Sequence, residues 1–181
     1  MTAETEAIRT VAGLMVLSAR TAPKARGADE IKTKIVLDIE LQHLADEMVA
    51  FGERNTIPFF IRDGTCMARS DACVLIGVRG AVAVGVNCQG CGFLSCTELE
   101  DAFAQKSPAN TPFSGPNCII RIADLGIAVG SAVKTAQVHN ADNRIMYSAG
   151  VAARSLGWLN DCISVYGIPL KGSGKNIFFD R

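Results

Sequence analysis

Apolar positions recur along the chain at two periods, helical and extended, and their alternation sets the expected architecture. Over residues 4–19, Ile8, Val11, Ala12, Met15 and Ala19 fall at helical spacing, which predicts an amphipathic helix running into the basic, Pro/Gly-punctuated stretch 20–27 (RTAPKARG). The segment 33–37 (TKIVL) is short and β-branched and predicts a strand. A second helix is expected over about 40–54, capped by Asp38 and burying Leu41, Leu44, Ala45 and Met48. Residues 57–63 (IPFFIRD) point to extended chain or a turn, and the unbroken apolar run 72–78 (ACVLIGV) to a strand buried on both faces of a sheet.

Further along, Ser95-Cys96-Thr97-Glu98 has the form of a capping box, so a helix is expected over about 96–105. A Pro/Asn/Ser-rich loop at 107–117 leads to a short strand at 118–123. Asp124 is then expected to cap a long helix to about 139, and Asp142 another over about 143–156 that stops at Gly157. A last strand near 162–167 precedes the polar tail KGSGKNIFFDR. Strands alternate with helices throughout, so the expected fold is an α/β (α+β) layered domain, a sheet flanked by helices, in one unit spanning 1–181.

Composition narrows the function. Eighteen Lys plus Arg balance eighteen Asp plus Glu, so the broad basic footprint of a nucleic-acid or acidic-membrane binder is missing. Apolar residues at 49% and charged residues at 20% exclude disorder. The start MTAETEAIRT lacks the basic and apolar regions of a secretion signal, and no apolar run approaches the roughly 20 residues of a membrane span. A cytoplasmic protein is the expectation. What changes the picture is seven cysteines: in a reducing compartment, clustered thiols point to metal or redox chemistry, and an odd count cannot be fully paired.

Four of the seven have ligand spacing. Cys88, Cys91 and Cys96 form C-x2-C-x4-C, with Cys118 standing apart. Three thiolates on one short loop can wrap one face of a compact inorganic core, and a fourth from another segment can close it. Gly90 and Gly92 let backbone N–H groups approach sulfur, and a helix opening at Cys96 favours thiolate charge. Structural zinc sites more often use two close cysteine pairs, so three-plus-one favours iron–sulfur, with zinc as the alternative. Cys66, Cys73 and Cys162 are expected to be core residues.

Arg20, Lys24 and Arg26 place three cations on one loop where they could grip a phosphate, with Lys171, Lys175 and Arg181 of the tail closing the site. The tail's GSGK lacks the spacing of a Walker loop. His43 and His139 are expected to be exposed and polar. Asp142, Asn143, Arg144 and Tyr147 form a polar cluster that could line a pocket, and Gly126, Gly130 and Ser131 are expected to permit close helix packing.

NCQGCGFLSC followed by a distant cysteine is similar to the four-cysteine 4Fe–4S motif of small iron–sulfur modules in redox and corrinoid proteins. Together with TAPKARG, FFIRD, DLGIAVGSAVK, DNRIMYSAG and GIPLKGSGKNIFFDR, it makes nearly the whole chain resemble a prokaryotic family of ferredoxin-domain proteins of unknown function. The resemblance implies a 4Fe–4S cluster on Cys88, Cys91, Cys96 and Cys118, carried in an inserted ferredoxin-like segment at 80–122. It also implies an oxidoreductase role passing electrons to a redox partner protein, a bound flavin or a small-molecule substrate.

A second likeness concerns the scaffold. The first helix with its Pro-containing loop, the small-residue helix DLGIAVGSAVKTA, and GIPL with a basic tail resemble the flavin nitroreductases. That implies a nitroreductase-like fold and a homodimer with FMN at its interface, its phosphate on Arg20, Lys24, Arg26, Lys175 and Arg181. The family's N-terminal Arg-x-Ser-x-Arg clamp is absent, and its loop Ser and Asn are replaced by Lys24 and Gly27. The chemistry thus divides three ways: an iron–sulfur redox protein, a structural zinc-binding interaction domain, or an FMN-dependent oxidoreductase.

Overall fold

The computed structural model describes residues 2–105 and 112–179. Among them the chain order is α1 (Ala3–Thr21), β1 (Ile31–Val36), α2 (Asp38–Asn55), α3 (Pro58–Ala68), β2 (Ala72–Val78), α4 (Cys96–Ala104), α5 (Ile119–Val138), β3 (Asp142–Asn143), α6 (Tyr147–Ser155) and β4 (Ser164–Lys171). The strands form one antiparallel sheet in the order β1-β2-β4-β3.

Strand β2 carries the architecture because all seven of its residues are buried, and their alternation assigns each to a layer. Ala72, Val74, Ile76 and Val78 pack with Ile168 and Leu170 of β4 against the stripes of α1 (Ile8, Met15) and α5 (Leu125, Ala132). Cys73 and Leu75 point the other way, with Val165, onto α2 (Leu44, Met48) and α6 (Ala149, Ala152). The result is a sheet sandwiched between helix pairs, as the alternating pattern predicts. Helix α6 lies so close to β4 that a Cβ on Gly150 would fall 1.7 Å from the Val165 carbonyl oxygen, and only glycine allows that approach. No described helix is long and apolar enough to cross a membrane.

Several local expectations are corrected. Residues 57–63 are not extended: helix α3 begins at Pro58, where a missing N–H costs nothing, and it buries Phe60, Asp63, Gly64 and Met67 at helical spacing. Residues 118–123 are not a strand but the start of α5. The β-branched Ile119, Ile120 and Ile122 favour a strand locally, but one stripe through Arg121, Leu125, Ala128 and Ala132 is buried and fixes the helix. Asp124 therefore lies inside α5 rather than at its cap. Asp142 lies in β3, where its carboxylate accepts from the Asn176 amide at 2.9 Å, and α6 begins later, after Met146. Asp38 is the first residue of α2 and pairs with Arg9, while Leu37 occupies the cap position without a side-chain bond. The last strand runs past 167 to Lys171. Gly126 and Gly130 do not mediate helix packing, since both are exposed with open space around them. Arg181 and residues 107–111 of the expected loop lie outside the described residues.

Candidate metal centre

Between β2 and α4 the chain is irregular, and its own side chains fix its path. Ser95 caps α4 as expected, accepting the Glu98 N–H at 3.2 Å, while Glu98 reaches back past the cap residue to the Leu94 N–H at 3.1 Å, a one-residue variant of the capping box. Asn87 accepts the N–H of Cys96 at 2.8 Å, which ties the loop before Cys88 to the first turn of α4. A turn closes from the Gly92 N–H to the Gln89 carbonyl at 2.9 Å, with Asn87 and Gln89 both in left-handed conformation. The tip of this turn lies against α5: a Cβ on Gly90 would sit 2.8 Å from Cγ2 of Ile119. Cys118 is held from the opposite side, its N–H donating to the Gly80 carbonyl at 2.9 Å.

These tethers bring the four sequence-predicted cysteines together. Cys88, Cys91, Cys96 and Cys118 all line one narrow recess with about 10 Å³ of free space, together with Val84, Leu99 and Ile120. Cys88 is exposed, Cys91 and Cys96 are half-buried, and Cys118 is 4% exposed, so the recess grades from solvent to interior. Cys96 opens α4 and Cys118 caps α5, which sets two helix N-termini beside the thiols. Among the described residues, no three His, Cys, Asp or Glu side chains are grouped closely enough to hold a single metal ion.

The remaining cysteines behave as core residues. All seven are free thiols. Burial pushes Cys73 up to about 12 from an ordinary value near 9. Cys162 also rises to about 12, first through burial and then through the charge of neighbouring Asp161. Cys66 is half-buried, with Sγ 3.7 Å from the Ile177 carbonyl.

A buried ion pair that sequence reasoning missed supports the site from below. Arg121 and Asp124, each 4% exposed at the side chain, pair on α5 at 3.2 Å. Arg121 also donates to the carbonyls of Val82 at 3.1 Å and Ala28 at 2.9 Å, while Asp124 accepts the N–H of Ala25 at 2.9 Å. One pair thus fastens the cysteine segment and the 25–28 turn to α5. An Arg and an Asp three residues apart within an apolar helical stripe are the sequence signal that could have revealed it.

The cations assigned to a phosphate are differently placed. Arg20 donates to the Ile31 carbonyl at 2.6 Å and pairs with Asp29 at 3.2 Å. Lys24, 5% exposed at the side chain, turns its ammonium onto the carbonyls of Ala19 and Arg20 at the end of α1. Burial pulls its pKa below the ordinary lysine value, and Asp29 opposes that shift. Arg26 points to the Val84 carbonyl at 3.3 Å, towards the cysteine segment. The tail carrying Lys175 leaves the sheet at Gly172 against Glu4 and Ile8, near the opposite end of α1. Lys171 pairs with Asp71 at 2.7 Å. His43 and His139 are exposed. Asp142, Asn143 and Arg144 line one shallow recess, whereas Tyr147 lines a separate cavity between α2, α3 and α6.

Comparison with known proteins bears on both scaffold and loop. Residues 114–181 match the family described as uncharacterized protein containing a ferredoxin domain (DUF2148). An uncharacterised protein of Archaeoglobus fulgidus is 44% identical over 179 residues, covering 97% of this chain and 92% of that one. Among solved structures, a nitroreductase of Desulfitobacterium hafniense with bound FMN aligns with a TM-score of 0.57 at 12% identity, covering 97% of this chain and 92% of that one. Nitroreductase A of Vibrio parahaemolyticus aligns with a TM-score of 0.55 at 9% identity over 93% of this chain, which spans 60% of that protein's length. At such identities the alignments establish the fold, which is that of the nitroreductases. With a relative matched over nearly its whole length, the chain belongs to the family of uncharacterised proteins containing a ferredoxin domain.

Proposed function

We propose that this protein holds a 4Fe–4S cluster on Cys88, Cys91, Cys96 and Cys118 and passes single electrons to a partner protein or small molecule. The observation that carries this reading is that Cys118, arriving from the start of α5, lines the same recess as the three loop cysteines. The donor set fits such a group. Four thiols, three from one loop and one from the start of α5, line the recess, and no described imidazole or carboxylate lines it with them, which matches the three-plus-one thiolate ligation of iron–sulfur clusters. Two helix N-termini lie beside the thiols, and the Gly90 turn lies so close to Ile119 that a side chain there would disturb the loop carrying Cys88 and Cys91.

A cluster in this position supplies a one-electron couple, with its potential set by exposure and by hydrogen bonds to sulfur. The chain's own residues divide the remaining work. Cys118 and the Leu99 floor shield the inner side from water, while Cys88 opens the outer side. Val86, Leu94 and Ile119, all exposed and close to the thiols in sequence or in space, give a redox partner an apolar surface on which to dock. The test is electron paramagnetic resonance of protein purified without oxygen and reduced with dithionite. A reduced-cluster signal that is lost in Cys118→Ser and kept in Cys66→Ser supports the reading. A colourless, signal-free protein containing zinc refutes it.

A flavin is the second reading, favoured by the shared fold. In this chain Arg20 and Lys24 already give their N–H groups to backbone carbonyls and Asp29, so a flavin phosphate on them would replace those bonds rather than add to them. Titration with FMN, followed by quenching of flavin fluorescence, tests it directly.

A further inference from the structure

A second cavity, which meets the cysteine segment at Pro112, carries chemistry that the iron–sulfur reading does not use. It lies between α2, α3 and α6 and encloses about 640 Å³, within the range of small-molecule sites. Its apolar wall is aromatic. Phe51 stacks on Phe60 with centroids 4.7 Å apart, Phe59 lies 4.8 Å from Phe60, and Tyr147 meets Phe60 edge-on at 6.1 Å. Phe59 and Tyr147 are 42% and 37% exposed, large ring surface left in water at the cavity.

Two arginines line the same cavity, and their electrostatic states differ. Arg54 is neutralised by Glu47 at 2.8 Å. Among the described residues, Arg154 donates only to neutral acceptors: the Pro112 carbonyl at 2.9 Å, the Ile163 carbonyl at 3.3 Å and the Ser114 hydroxyl at 3.2 Å. No described carboxylate lies within ion-pair distance of it. A half-buried guanidinium therefore brings an uncompensated positive charge to an aromatic wall. A ligand that complements both features is flat, so that it can stack on rings, and carries an anionic group for the guanidinium fork.

We propose that this cavity binds a planar aromatic acid, its rings against Phe59 and Tyr147, which the buried Phe60 backs, and its carboxylate on Arg154. No thiol takes part, so the site stands whether or not the cysteines hold a cluster.

Calorimetric titration of the full-length protein with 2-naphthoate, and separately with the uncharged 2-naphthalenemethanol, tests it. Saturable naphthoate binding is expected, with the alcohol at least about tenfold weaker, the worth of one hydrogen bond to a charged group. Arg154→Gln should weaken naphthoate about tenfold and leave the alcohol unchanged, the alcohol reporting that the cavity is intact. Phe59→Ala should weaken both probes, and Lys134→Gln, on the outer face of α5, neither. Equal affinity of the wild-type protein for the two probes would overturn the proposal. So would unaltered naphthoate binding in Arg154→Gln, or no saturable binding of either probe below about 1 mM.

Discussion

Replacing Asp124 by alanine isolates the contribution of the buried pair beneath the cysteine segment. The substitution leaves Arg121 as a guanidinium with 4% side-chain exposure and no counter-charge. Breaking a buried pair from one side costs about 3–5 kcal/mol, because the surviving charge cannot return to water. The Ala25 N–H loses its acceptor as well, adding on the order of 1 kcal/mol at its half-buried position. A domain has only about 5–15 kcal/mol of net stability, so the loss is a large fraction of the total. At about 2–4 °C per kcal/mol for a chain of this length, the melting temperature should fall by roughly 8–24 °C.

Urea unfolding followed by circular dichroism, on protein handled without oxygen, measures the change directly. The double variant Arg121→Met/Asp124→Leu removes both charges and should be less destabilised than the sum of its single variants by at least about 2 kcal/mol. Recovery will be partial, since the carbonyls of Val82 and Ala28 also lose their donor. An Asp124→Ala protein within about 1 kcal/mol of wild type would refute the keystone role. So would strict additivity in the double variant.

The other expectations rest on different parts of the molecule. Gly150→Ala forces a methyl group into the Val165 carbonyl, where only backbone can yield, and should cost at least about 3 kcal/mol in a thermal melt. Ser95→Ala removes the cap of α4 and should cost about 1 kcal/mol, with faster hydrogen exchange confined to the 94–99 turn. Cys73 and Cys162 keep their protons when folded to about pH 12 but ionise near their ordinary value once unfolded. Their contribution is therefore complete below about pH 8.5 and is lost as pH rises from there towards 12, so the urea midpoint should fall across that interval and fall less in Cys73→Ala. In native protein at pH 8, mass spectrometry after iodoacetamide should find both thiols unmodified, because only about one Cys73 in ten thousand is ionised.

What the sequence revealed follows from where each signal originates. Strand β2 and helices α1 and α2 were legible because burial imposes a regular period over many residues. The capping box at Ser95 was legible because its partners lie within one turn. The three misassigned caps, Asp38, Asp124 and Asp142, fail for one reason. Each carboxylate is claimed by a tertiary or neighbouring partner, Arg9, Arg121 with Ala25, or Asn176, and cap chemistry looks the same until those partners arrive. Helix α3 was hidden by its proline and phenylalanines, and the first turn of α5 by β-branched residues whose local preference packing overrides. The aromatic cavity could not be read at all, because its rings come from three helices that only the fold assembles.

Metal and acid-labile sulfide analysis of protein purified without oxygen tests the central claim most directly. The proposed cluster on Cys88, Cys91, Cys96 and Cys118 predicts about four iron and about four sulfide per chain, falling in step when Cys118 is replaced by serine. About one zinc per chain, with neither iron nor sulfide, would contradict it.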